Sequence, residues 1–126
     1  MYQIDNQSRQ AVYEQIMQQV EQYVLLGLLK SGDKLPSVRK MSTDLHVNPN
    51  TVQRAYMELE RAKVIVTAPG RGAFVSEDGA ATLKQRRYDM ALLELNQLVA
   101  TLKQAGLGKE EILSAVETAY QEVSHD

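Results

Sequence analysis

The sequence predicts a mainly α-helical chain: three N-terminal helices, a two-stranded β-hairpin, then two further helices. Three observations lead there. Apolar side chains recur at three- and four-residue spacing through five separate stretches. Helix-start signals stand at Ser37 and at Asn48-Pro49. The only run dense in β-branched residues, Val64-Ile65-Val66-Thr67, is followed by a turn segment, Ala68-Pro69-Gly70-Arg71, and by Gly72-Ala73-Phe74-Val75. At 126 residues the chain can hold one core and a modest appendage, not two full-sized domains. Glu77-Asp78-Gly79 reads as the boundary, giving a compact domain over residues 1–78 and a helical region over 79–126.

The first helix is expected from about Arg9 to Leu28, because Val12, Ile16, Val20, Tyr23, Val24 and Leu28 share one face. Ser8 is the candidate cap, and Gly27 and Gly32 mark the end. The second helix runs from about Ser37 to His46. Ser37 can accept from the free amides of its first turn, and Val38, Met41, Ser42 and Leu45 lie on one side. In the third helix Asn48 caps and Pro49 takes the first position, where its missing N–H and fixed φ cost nothing. Val47 and Val52 can staple the turn between the two helices. Val52, Ala55, Tyr56 and Leu59 then face inward, leaving Asn50, Thr51, Gln53, Arg54 and Met57 outward.

The fourth helix carries Leu83, Tyr88, Ala91, Leu92, Leu95, Leu98, Val99 and Leu102 on one face and ends before Gly106. A fifth follows Leu107-Gly108, with Glu111 placed to close a capping box and Leu107 to staple onto Ile112. Its inner face is Ile112, Leu113, Val116, Ala119, Tyr120 and Val123. Two helices with so short a connection fold back as a hairpin, and such a hairpin cannot bury both stripes alone. A second copy of the chain is the expected cover. Tyr88, Leu92, Leu95, Leu98, Val99, Leu102, Ile112, Val116 and Tyr120 are therefore the candidate dimerisation residues.

Composition narrows the function. There is no cysteine, hence no disulfide framework and no thiolate metal site, which fits a cytoplasmic protein. No apolar run approaches a membrane span, and Asp5, Asn6 and Gln7 interrupt any leader-like segment. His46 and His125 lack ligand-spaced neighbours, so no metal is expected. With no nucleophile–base pair and no phosphate-cradling loop, neither a catalytic residue nor a cofactor is assigned, and an enzyme is not expected. Tyr13, Tyr23, Tyr88 and Tyr120 read as core or seam residues before they read as a ligand pocket, and no small-molecule effector is identified.

Net charge is −2, which opposes nucleic-acid binding, but its distribution is uneven. Residues 30–71 hold eight basic side chains against four acidic ones, a net of +4; residues 79–126 hold five against seven, a net of −2. A locally positive face still attracts phosphates, in a salt-dependent way. Two short helices followed by a hairpin form a winged helix-turn-helix, whose second short helix reads a DNA groove. Asn50 and Gln53 carry amides that pair with adenine edges, while Ser37 and Thr51 can bond phosphate oxygens. Arg71 at the glycine-flanked tip, beside Gly70, can enter an A·T-narrowed minor groove. The residues leave one alternative open, a winged-helix protein-interaction module without sequence-specific DNA binding.

Tyr13-Glu-Gln-Ile16, Gly27 to Arg39, Val47-Asn48-Pro49-Asn50-Thr51-Val52, Ala55-Tyr56, Leu59-Glu60 and Gly70-Arg71-Gly72-Ala73-Phe74-Val75 together resemble the winged helix-turn-helix of the GntR family of bacterial regulators. The resemblance covers residues 9–76 without a gap. The two-helix C-terminal part is similar to that of the YtrA-like subfamily. It implies a homodimer on an inverted-repeat double-stranded DNA operator, usually a repressor, with transporter genes among the targets of YtrA-like members. Carried over by position, it implies Arg39 at the backbone and groove, Asn48, Asn50, Thr51 and Gln53 on the recognition helix, and Gly70 with Arg71 at the wing tip. Many members have arginine where this chain has Pro49 or Asn50, so Arg54 is the candidate to replace that interaction. Met41 and Ser42 stand where Leu-Ala is common, and Lys63 where glycine often ends the helix.

Overall fold

A computed structural model describes residues 1–123, so His125 lies outside the described residues. In chain order the elements are α1 (Val12–Leu25), α2 (Val38–Leu45), α3 (Pro49–Arg61), β1 (Ile65–Ala68), β2 (Gly72–Val75), α4 (Gly79–Gln104) and α5 (Lys109–Val123). The chain is mainly helical with a two-stranded antiparallel wing, as the spacing predicts. Two compact units divide it, Met1–Arg86 and Arg87–Asp126.

The core of the first unit is built from one stripe of each helix. Ile16, Val20 and Val24 of α1 meet Met41 of α2, all of Val52, Ala55, Tyr56 and Leu59 of α3, and Val64, Ile65, Ala73 and Val75 of the wing. Each fully buried aliphatic side chain contributes roughly 1.5–3 kcal/mol of transfer free energy. Leu35 and Leu83 close the cluster from the segment before α2 and from the first turns of α4. Tyr56 satisfies its hydroxyl by donating to the Pro36 carbonyl at 2.6 Å, and burial raises its pKa.

The N-terminal segment departs from expectation. α1 starts at Val12, not near Arg9, and its cap position is Ala11, which has no side-chain acceptor. Ser8 accepts instead from the Gln10 N–H at 3.1 Å, closing a local turn. What precedes α1 is an extended arm held by two of its glutamines. Gln19 Oε1 accepts from the Gln3 N–H at 2.8 Å and its Nε2 donates back to the Gln3 carbonyl; Gln15 treats Asp5 alike, at 2.8 and 3.1 Å. Tyr2 packs edge-on against Tyr23, ring centroids 5.4 Å apart, and the Tyr23 hydroxyl donates to the Met1 carbonyl. The Tyr2 hydroxyl is buried with no hydrogen-bond partner among the described residues, and burial, with Tyr23 nearby, pushes its pKa up to about 12. At the other end, Gly27 takes φ +79°, so Leu28 leaves the helix and is exposed instead of facing inward.

Ser37 caps α2 by accepting from the Lys40 N–H at 3.0 Å. At the end of α2 the Ser42 hydroxyl donates to the Val47 carbonyl at 2.6 Å while the Val47 N–H returns to the Ser42 carbonyl. Serine here staples the turn, which an alanine cannot do. Asn48 caps α3 by accepting from the Asn50 N–H at 2.8 Å, with Pro49 in the first position. α3 ends with Lys63 at φ +65°, its N–H bonded to the Glu60 carbonyl and the Val64 N–H to the Leu59 carbonyl. That is a Schellman end with lysine in the left-handed position that favours glycine.

β1 lies one residue later than the β-branched run suggests, because Val64 is used in that helix end. Its register pairs Ile65 with Val75 and Ala68 with Gly72. Pro69 and Gly70 (φ +77°) form a type II turn closed by the Arg71 N–H to the Ala68 carbonyl at 2.9 Å. The segment before α2 adds to the free edge of β2: Leu35 N–H bonds the Ala73 carbonyl, and the Val75 N–H bonds the Asp33 carbonyl, both at 2.8 Å. On the other side Glu60 of α3 accepts from the Thr67 N–H and hydroxyl. The wing is thus fixed along both edges.

α4 begins against the wing base. A Cβ on Gly79 would lie 2.9 Å from the Val64 carbonyl oxygen, so only glycine fits there. Arg86 pairs with Glu21 of α1. In the second unit, Gly106 at φ +98° ends α4, and Glu111 Oε1 accepts from the Gly108 N–H at 3.1 Å. This is the glutamate half of the expected capping box; Gly108 has no side chain to supply the other half. Among the described residues of this unit only Val99, Leu102, Leu107 and Ile112, all near the connection, are even partly buried. Tyr88, Leu92, Leu95, Leu98, Val116 and Tyr120 are exposed.

Candidate nucleic-acid interface

α3 is held as a recognition helix should be, its inner stripe buried and its outer stripe free. Asn50, Gln53, Arg54 and Met57 are exposed, and Thr51 is half-buried. The Asn48 side-chain oxygen is committed to the cap, which leaves its NH₂ group as a donor. Ser37 likewise accepts within α2 and keeps its O–H to donate outward. Arg39, in the first turn of α2, is exposed, as are Gly70 and Arg71 at the wing tip.

A groove of about 420 Å³ lies between the start of α1 and the start of α3, lined by Ala11, Val12, Tyr13, Asn48, Asn50, Thr51 and Arg54. It gathers four of the expected DNA-facing residues on one flank of α3. Gln53 falls on the opposite flank by helical spacing, and Arg71 belongs to the wing. The groove lining holds two amides, the hydroxyls of Thr51 and Tyr13 and a guanidinium but no carboxylate. Sequence reasoning gave Tyr13 no part in this surface. Its ring carries the Arg54 guanidinium, with Cζ 3.8 Å from the ring centroid. The pair spans α1 and α3, 41 positions apart in the chain, and no local pattern announces it.

The charge pattern is sharpened by pairing. Asp44 lies 3.2 Å from Lys40 and Glu58 lies 3.5 Å from Arg61, while the Asp33 and Glu60 carboxylates accept backbone N–H groups nearby. Such surface pairs add little stability. Their effect is to occupy every acidic group of residues 30–71 and leave Arg39, Arg54 and Arg71 without ion-pair partners among the described residues. No helix among the described residues is long and apolar enough to cross a membrane, and no cluster of metal-ligating side chains occurs among them.

Residues 12–75, from the start of α1 to the end of β2, match the family model for bacterial regulatory proteins of the gntR family. The chain belongs to the GntR family. It is a transcriptional regulator with a DNA-binding domain, not an enzyme. The likeness runs past the GntR domain into the C-terminal helices. The HTH-type transcriptional repressor YtrA of Bacillus subtilis is 45% identical over 112 residues, covering 89% of this chain and 86% of that protein. Among solved structures, a transcriptional regulator from Oenococcus oeni superposes with a TM-score of 0.78 at 34% identity, covering 93% of this chain and 97% of the other. YtrA of Sulfolobus acidocaldarius, a GntR-family transcription factor, matches with a TM-score of 0.58 at 34% identity over 73% of this chain and 97% of its own. The GntR assignment agrees with the resemblance carried by the motifs, YtrA-like C-terminal part included.

Proposed function

We propose that this GntR regulator is a cytoplasmic repressor that binds an inverted-repeat operator as a homodimer, with transporter genes among its targets. The observation that carries the DNA reading is the outer side of α3. The side chains of Asn50, Gln53 and Arg54 are exposed there with no hydrogen-bond partner among the described residues, beside a groove free of carboxylates. Asn50 and Gln53 present amides to base edges, where each good bidentate pair discriminates by about 1–3 kcal/mol. Thr51, Ser37, Asn48 and Arg39 bond phosphates and set the register, and Arg71 on its fixed wing enters the minor groove. The repressor reading is supported by the similarity to YtrA of Bacillus subtilis, which carries that description. The stripe made of exposed Tyr88, Leu92, Leu95, Leu98, Val116 and Tyr120, continued by the partly buried Val99, Leu102 and Ile112, supports the homodimer, since two such surfaces cover one another around a two-fold axis.

Fluorescence anisotropy with A·T-rich inverted repeats tests the reading. Tight binding that weakens steeply with salt is expected, and Asn50→Ala combined with Gln53→Ala should lower operator affinity by about 30-fold or more while sparing non-specific binding. Absence of low-salt binding, or an operator affinity unmoved by the double substitution, would sink it. Co-purification with a protein partner, without salt-sensitive DNA affinity, would favour the interaction-module alternative.

A further inference from the structure

Arg54 stands on the outward stripe of α3 one turn beyond Asn50, from where a free arginine would reach straight for base edges. It does not point that way. Its guanidinium lies over the face of Tyr13, on the α1 side of α3, at the groove shared by the two helix starts. The attraction acts through the ring face and uses none of the five N–H donors of the guanidinium. Among the described residues Arg54 makes no hydrogen bond or ion pair, so all five remain available.

We propose that Tyr13 is a positioning residue that turns Arg54 from a base reader into a phosphate clamp, leaving sequence discrimination to Asn50 and Gln53. The inference rests on the DNA reading above. Three features of the surface favour it. The guanidinium is drawn toward the flank of the recognition helix, where a DNA strand's backbone runs, and away from the groove floor. It is accompanied there by Thr51 and Asn48, short donors suited to phosphate oxygens. The stack also reduces the rotamer freedom that a long exposed side chain would give up on binding, so the clamp is partly ordered before DNA arrives.

The test uses the full chain and a duplex selected by the wild type from a randomised pool, together with its single-base-pair variants. Arg54→Ala should weaken binding uniformly across these duplexes and reduce the slope of log K against log salt by ~0.9 for each phosphate that the arginine neutralised. Tyr13→Leu should weaken binding about 3- to 10-fold, again uniformly, and have no further effect in the Arg54→Ala background; Tyr13→Phe, which keeps the ring, should stay within about 2-fold of wild type. A loss confined to one base pair, or an equal Tyr13→Leu effect with and without Arg54, would overturn the clamp. A second measurement stands apart from the folding of that variant. The Arg54 Nε–H resonance should carry a ring-current shift in the free wild type and keep it when the duplex is added; loss of the shift on binding overturns the proposal. Wild-type protein without salt-sensitive DNA affinity would overturn the DNA reading and the clamp together, whereas wild-type binding unmoved by Tyr13→Leu would overturn the clamp alone.

Discussion

Ile16, Val20 and Val24 on α1 are at most 3% exposed, whereas Leu92, Leu95 and Leu98 on α4, which also share one helix face, are 43% to 61% exposed. Both sets read alike in the sequence. The first packs with α3 and the wing inside its own unit; the second stays largely exposed among the described residues of its own. An amphipathic stripe thus specifies that a helix needs cover, and the remainder of the chain decides whether that cover is internal. In the first unit the cover is complete, and polar side chains are free to shape a binding surface. In the second it is missing, and the apolar surface itself is what the unit has to offer.

The contrast can be broken most forcefully at Leu59, which is fully buried in α3. Leu59→Ala should cost about 2–5 kcal/mol of stability in urea unfolding, through the transfer energy forgone and the cavity left behind. Leu95→Glu with Leu98→Glu should do the reverse, leaving the first unit folded by circular dichroism while shifting the species seen in light scattering from dimer to monomer. A wild type already monomeric at micromolar concentration would remove the argument for a second copy. Tyr2→Phe removes a buried hydroxyl that has no partner among the described residues, so a gain of ~1 kcal/mol is expected in the same urea experiment.

The tyrosines also set an alkaline limit. Raised folded-state pKa values at Tyr2 and Tyr56 mean that the unfolded chain loses these protons first, so the contribution of these two groups to stability is constant below about pH 10 and falls as pH climbs from there through about 12. Urea midpoints measured across that range should drop less in Tyr2→Phe than in wild type. The smallest effect is expected at Lys63, whose φ of +65° strains a residue with a Cβ. Lys63→Gly should raise the melting temperature by a few degrees, corresponding to roughly 1 kcal/mol.

Much of this architecture was legible because its signals are local. The Ser37 cap, the Asn48-Pro49 start and the Pro69-Gly70 turn each depend on residues within four positions of one another, and the inner stripe of α3 on steps no longer than that. What escaped is long-range. The arm before α1 has no periodicity, and its recognition by Gln15 and Gln19 looks in sequence like a solvated polar face. The addition of residues 32–35 to β2 pairs backbone with backbone and leaves no side-chain signature. Ser8 resembles a cap, but the Gln10 carbonyl is held by Gln15, and the helix starts later. Of the candidate interface, residue types and exposure on α3 followed from its stripe, whereas the hold of Tyr13 on Arg54 required the packing of α1 beside α3.

The two glutamine clamps on the arm have a consequence for how this chain can drift. Four residues of helix advance about 6 Å, and two residues of extended chain about 6.6 Å, so carboxamides at positions 15 and 19 match alternate peptide groups of an antiparallel arm as a ruler matches its marks. They bond the main chain of Gln3 and Asp5, not the side chains. As far as the clamps are concerned, positions 3 and 5 are therefore open to nearly any amino acid except proline, which lacks the N–H, although at position 5 the Asp5 carboxylate also accepts from the Gln7 N–H at 3.0 Å. Positions 15 and 19 are not, because glutamate at either would lose the donor half of the pair while looking, in an alignment, like the mildest of changes.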